Sequence, residues 1–256
     1  MEEKQERKKF FGSLAIPALL VTLMWVVKVA EMAFSVDLSP WGLIPRTTHG
    51  LLGILTMPLL HGGWEHLLTN SPAVLVLGTA LYYCYPTLAN RVMLISWLAS
   101  GLLTWIIGIP ESIHVGASAL IYSLNLFLIV SGFIRGNRQL IVISLIMVFL
   151  YGSFIWGMIP SLAIPQHISW EGHLSGALTG IALAILYRKE GPQKEVHHWD
   201  DEEDDNEDDN EDGKEPTDDS SENTKKAPEK TAKEKPYWDV PMPSNDELTV
   251  QYRFRR

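Results

Sequence analysis

Residues 116–134 read GASALIYSLNLFLIVSGFI, nineteen positions without a charged side chain. The run is close to the ~20 apolar residues that cross a bilayer as a helix. Within lipid the backbone must satisfy its own hydrogen bonds, so a segment of this kind is predicted to be helical. Outward from it, five further segments have the same character: residues 14–34, 64–83, 92–109, 140–158 and 171–187. The fold expected is an all-α membrane protein of six transmembrane helices. The first segment is read as a retained span and not a cleaved leader, because Lys28 and Glu31 interrupt it and no small-residue cleavage site follows. The connection 35–63 is long, and its apolar stretch 50–60 is too short to cross. It is predicted to be partly buried, interfacial or re-entrant.

The net charge of −9 comes from 21 Lys and Arg against 30 Asp and Glu, and it is unevenly placed. Up to Glu190 there are 11 basic and 9 acidic residues; beyond it there are 10 and 21. The apolar runs exclude a soluble globular enzyme. A nucleic-acid partner is excluded as well, because the few basic residues sit singly in loops and form no patch. Cys84 is the only cysteine, so an intramolecular disulfide and a cysteine-based metal site are excluded. Two regions are expected: a membrane domain over residues 1–190 and an acidic, mostly disordered tail over 191–256. Residues 200–212, DDEEDDNEDDNED, carry like charge with nothing apolar to bury. In that tail, residues 237–240 and 252–256 supply the apolar and aromatic handles for a cytoplasmic partner.

Positive charge sets the orientation. Lys4, Arg7, Lys8, Lys9, Arg91, Arg135, Arg138, Arg188 and Lys189 fall on one side of a six-span arrangement and Arg46 alone on the other. The positive-inside rule then puts both termini in the cytoplasm and the first, third and fifth loops outside, in a multi-pass protein of the plasma (cell inner) membrane.

Polar side chains within spans are costly and mark bundle interiors or water-filled cavities. Three clusters carry them. Residues 61–70, HGGWEHLLTN, open span two, where His66 and Asn70 lie four apart and share a helix face. Ser118 and Tyr122 share a face at the start of span four. Residues 172–180, GHLSGALTG, open span six with His173, Gly176 and Gly180. By the alternation of the spans, all three clusters lie at the outer side.

Taken singly, each of these residues has a packing explanation: a Ser, Asn or His bonding between helices, or a glycine allowing close approach. A zinc site is disfavoured. Zinc-binding helices place two histidines four apart, whereas His61 and His66 are five apart, about 140° around a helix. Together the clusters suit nucleophilic catalysis, which needs a nucleophile, a base within reach and donors fixed in advance for an oxyanion. Ser118, His173 and the pair His66 and Asn70 can supply these in turn.

The series His61-x4-His66-x3-Asn70, Gly116-x-Ser118 and Gly172-His173 with Gly176 and Gly180 resembles the rhomboid family of intramembrane serine proteases, over roughly the first 190 residues. The resemblance implies a six-helix bundle that encloses a Ser–His dyad and cuts other membrane proteins in or near their transmembrane segments. It makes Ser118 the nucleophile, His173 the general base, and His66 and Asn70 the oxyanion-stabilising pair. His61 matches a further, largely structural histidine, and Tyr122 the tyrosine packed on the catalytic histidine. Gly176 would permit tight contact of spans four and six. No metal or cofactor is implied, and the partners implied are the bilayer and transmembrane substrates. Ala119 departs from the glycine common after the nucleophile, and Trp41 and Arg46 are not adjacent as the family's first-loop pair is. Two rivals remain: a non-catalytic rhomboid-like protein that binds membrane clients, and a transporter. Transporter sites lie near the midplane between repeated halves; here the polar residues gather at one end and no repeat is visible.

Overall fold

The computed structural model describes residues 2–159 and 169–194. The acidic block 200–212 and the aromatic handles of the tail, on which expectations were set out above, lie outside the described residues. Among the described residues the chain is all-helical, with one isolated backbone bridge, Leu43 to His114. Its α-helices are α1 (Glu2–Ala33), a single turn α2 (Gly53–Thr56), α3 (Trp64–Cys84), α4 (Ala89–Ile107), α5 (Ser118–Arg135), α6 (Arg138–Tyr151) and α7 (Trp170–Leu186). All except α2 fall on the predicted segments. Four of them, α1, α3, α4 and α5, are long and apolar enough to cross a membrane.

The boundaries differ from the sequence reading in instructive ways. α1 starts twelve residues earlier than the predicted span, because the hydrophilic lead-in (EEKQERKK) consists of good helix formers and simply continues the helix. Pro17 does not break it; the ring packs where α1 crosses α3, within 3.0 Å of where a Cβ on Gly78 would stand. The fifth predicted segment, 140–158, divides into α6 and a 3-10 helix, Gly152–Met158. Gly152, Ser153 and Gly157 weaken α-helix there. The connection between α1 and α3 is a chain of short helical turns whose Leu43, Met57 and Leu60 are buried, in line with the partly buried segment expected.

α5 is the central helix, the most enclosed of the four long ones. It packs on α7, α6, α3 and α4, and α1 packs on α3 at the periphery. Contact with α7 is made over small residues: a Cβ on Gly176 would overlap the Ala119 carbonyl oxygen, and one on Gly180 would stand 3.0 Å from the Phe127 nitrogen. Backbones can approach this closely only where a side chain is missing. At the opposite end Arg135, buried at the end of α5, fastens the end of α7. Its guanidinium donates to the Tyr187 carbonyl at 2.7 Å, to Pro192 at 3.3 Å and to the Glu190 carbonyl, and it lies 5.3 Å from the centre of the Tyr85 ring. These carbonyls belong to the C-cap and the turn that follows α7, so Arg135 holds that turn against the end of α5.

α1 carries an ion pair of its own, and each partner also bonds outside the helix. Lys28 and Glu31, which interrupt the first span in the sequence, pair at 2.6 Å; Lys28 also donates to the His61 carbonyl at 2.9 Å and Glu31 accepts from the Leu38 amide at 3.1 Å. Two charges in an apolar segment thus have partners, as their cost requires, and they tie α1 to the loop that enters α3.

Candidate active site

The starts of α3, α5 and α7 meet at one end of the bundle. Gly116 precedes α5 with φ +110°, a conformation open to glycine, and a Cβ there would overlap the His66 ring and stand 3.4 Å from Asn70 Nδ2. The missing side chain therefore lets His66 and Asn70, one turn apart on α3, lie against the backbone just before Ser118. The Gly116 amide donates to the Met57 carbonyl at 2.8 Å, which holds this loop against the first connection.

Asn70 is buried and oriented. Its Nδ2 donates to His61 Nε2 at 3.1 Å. That nitrogen must then be unprotonated, and the proton sits on Nδ1, 3.4 Å from the Leu59 carbonyl. The second hydrogen of the Asn70 amide remains for another acceptor. Burial pushes the His61 imidazole down to about 4, with the neighbouring His66 adding to the effect. His61 is neutral at pH 7, as this bonding requires. The His61 and His66 rings meet edge to face at 5.1 Å.

On α7, His173 is held from two sides. Its ring stacks on Tyr122, centroids 4.2 Å apart and planes 9° from parallel. Its Nδ1 lies 2.9 Å from the Gly157 carbonyl, which can only accept, so Nδ1 carries the proton and Nε2 presents a lone pair. Ser118, the first residue of α5 and half-buried, is one turn before Tyr122 on the same helix face. Gly176, one turn after His173, is the point where α7 closes on Ala119 and on Tyr122, whose Cβ would be 3.0 Å from a Cβ there.

His61, His66, Asn70, Ser118, Tyr122, His173 and Gly176 are therefore at this end, each in contact with another of the set or one turn from it, whereas Gly180 lies further along α7 against Phe127 in the middle of α5. One contributor escaped the sequence reading. Gly157 orients His173 with its backbone carbonyl, and a Cβ at Gly157 would stand 3.0 Å from His173 Nδ1 and overlap the Tyr122 hydroxyl. Any residue has a carbonyl, so only the close approach distinguishes a glycine here. Trp41 and Arg46 do not act as a pair. Trp41 is exposed beside His49, at 5.9 Å between ring centres, while Arg46 donates to the Gly108 carbonyl at 3.0 Å at the end of α4.

A Rhomboid domain model matches residues 48–190, from the first connection to the end of α7. The chain belongs to the rhomboid family. The matched stretch holds the three clusters and leaves α1 and the acidic tail outside it. Among similar proteins, an uncharacterized protein of Mycobacterium tuberculosis is 36% identical over 171 residues, covering 65% of this chain and 71% of that one. An uncharacterized protein of Mycobacterium leprae is 33% identical over 172 residues, covering 65% and 68%. This rhomboid is accordingly an integral membrane protein by family and by its apolar helices.

Proposed function

We propose that this rhomboid is an intramembrane serine endopeptidase that hydrolyses peptide bonds in or near the transmembrane segments of other membrane proteins. The observation that carries the reading is the state of His173: stacked on Tyr122 one turn after Ser118, with Nδ1–H on the Gly157 carbonyl and Nε2 left as a base. The Gly157 carbonyl does the orienting part of what an aspartate does in a triad; it brings no negative charge to stabilise the imidazolium. Modest turnover follows.

In the reaction, Ser118 Oγ attacks the scissile carbonyl carbon as its proton passes to His173 Nε2. The oxyanion is met by His66, by the remaining Asn70 amide hydrogen and by the Ser118 backbone N–H. Collapse breaks the C–N bond, and His173 returns the proton to the leaving amine. Water, deprotonated by the same Nε2, then hydrolyses the acyl-serine, and the proton goes back to Ser118. His61 acts through Asn70, and Gly176 through the spacing of α5 and α7. The chain's own groups supply each step without a cofactor.

The same reading makes α1 and α3 to α7 six spans. Both termini are cytoplasmic in the plasma (cell inner) membrane, with the site at the outer face, residues 1–190 as the catalytic domain and residues 191–256 as an acidic tail that recruits a cytoplasmic partner. A fluorophosphonate probe tests the reading: it is expected to label Ser118 in the purified wild type and to leave Ser118→Ala unlabelled. Equal labelling of the two would overturn it in favour of a non-catalytic client-binding protein.

A further inference from the structure

A fourth histidine at this end of the molecule, His114, lies outside the three clusters. It is four residues before Ser118, in the loop from α4 to α5, and only 5% exposed. Its backbone is locked on both sides to Leu43, with Leu43 N–H donating to its carbonyl at 3.0 Å and its own N–H to the Leu43 carbonyl at 2.8 Å. The side chain bridges two serines: Nδ1 is 2.6 Å from Ser169 Oγ and Nε2 is 2.8 Å from Ser112 Oγ.

The directions of these bonds are fixed by their ends. The Ser112 hydroxyl donates to the Ile109 carbonyl at 2.6 Å, and a carbonyl cannot donate in return. Ser112 Oγ must then accept from His114 Nε2–H, which leaves Nδ1 without a proton and obliges Ser169 to donate to it. Ser169 is the N-cap of α7, and its Oγ accepts from the Gly172 amide at 3.1 Å. One chain of four hydrogen bonds thus runs from Gly172 N–H through Ser169, His114 and Ser112 to Ile109, all pointing the same way. It requires a neutral imidazole, and burial pushes His114 down to about 4. One end of that chain is the residue beside His173. His114 in the middle is on the loop that delivers Ser118.

We propose that His114 is a positioning residue for the Ser118–His173 reaction: with Ser169 it pegs the first turn of α7 to the loop entering α5, and so fixes the base relative to the nucleophile. The proposal rests on reading His173 as the general base. A serine capping a helix is ordinary. A buried neutral histidine holding that serine from the nucleophile's own loop is an added constraint, and it couples two elements whose relative placement sets the rate.

Asparagine and glutamine separate the two halves of the bridge. The Asn side chain puts an acceptor near the Nδ1 position and can keep the bond from Ser169, whereas Gln puts its amide near the Nε2 position and can keep only the Ser112 side. In cleavage assays of the full chain with a model transmembrane substrate, His114→Ala and His114→Gln are expected to lower kcat by roughly 10- to 100-fold, with KM within about twofold of wild type. His114→Asn is expected to retain kcat within about threefold. Hydrogen exchange gives a readout independent of catalysis: the Gly172 and His173 amides should exchange faster in His114→Ala and His114→Gln, and at the wild-type rate in His114→Asn. Equal kcat in the Asn and Gln variants would reduce His114 to packing and overturn the proposal, as would wild-type kcat in His114→Ala. Cleavage that wild type and Ser118→Ala perform equally would instead overturn the protease reading, while exchange would still report whether the peg exists.

Discussion

Gly176→Val puts a branched side chain where α5 and α7 are in backbone contact. A Cβ at Gly176 would stand 3.0 Å from Tyr122 Cβ and overlap the Ala119 carbonyl oxygen. Carbon atoms sit comfortably at about 3.5–4.0 Å, so α7 must retreat by on the order of 1 Å, and the two Cγ atoms of valine add to that demand. Ser118 is next to Ala119, and His173 is one turn before Gly176, so the retreat separates the proposed nucleophile from the proposed base directly. A misplacement of that size costs ~10²-fold in rate, equivalent to about 2.7 kcal/mol of barrier. Gly176→Ala should fall between valine and wild type. The assay is turnover of a model transmembrane substrate by purified protein, with fluorophosphonate labelling of Ser118 and the thermal unfolding midpoint measured on the same samples. A rate loss in protein that still purifies and unfolds cooperatively supports the geometry. Full activity in Gly176→Val would refute it, because the two helices could not then meet at this residue.

Three further outcomes follow from the site and its supports. Asn70→Ala removes one of the proposed oxyanion donors and should lower kcat by roughly 10²–10³, and His61→Ala, which only releases the Asn70 amide from its bond, should cost less; the reverse order in the same kinetic assay would contradict these roles. His61 and His114 are held at about 4, below the ordinary 6.5, so between pH 6.5 and 4 the unfolded chain binds protons that the folded one does not. Stability contributed by these two groups is therefore present above pH 6.5 and lost as pH falls toward 4; Tm should drop across that window, and a Tm that rises there would contradict it. Arg135→Ala strips the end of α7 of charged donors and should cost about 3 kcal/mol, read as a lowered Tm, with an unchanged Tm as the contrary result.

What the sequence disclosed depended on where the information is stored. The helices were legible because an apolar run of sufficient length has one structural solution in lipid, and four of them are long and apolar enough to cross it. That His66, Asn70, Ser118, Tyr122, His173 and Gly176 gather at one end of the bundle was legible because helical periodicity converts spacing into a shared face. Gly157 was not: it contributes a carbonyl from a 3-10 helix that follows α6, and a carbonyl has no signature in sequence. The bridge from His114 to Ser169 was equally hidden, since the two residues are 55 positions apart and become neighbours only when the loop before α5 folds against the start of α7. Lys28 and Glu31 were noticed only as interruptions of an apolar run. Their i,i+3 spacing puts them on one face of α1, but the bond from Lys28 to the His61 carbonyl could be seen only once α1 packs beside the loop that enters α3.

The central claim is that Ser118 and His173 form a working dyad. It is tested most directly by reconstituting wild type, Ser118→Ala and His173→Ala into liposomes with a model transmembrane substrate and measuring cleavage. The account predicts cleavage by wild type and its loss by at least about 10³-fold in either variant, because nucleophile and base act as a unit. Turnover by Ser118→Ala above about a tenth of wild type would contradict it.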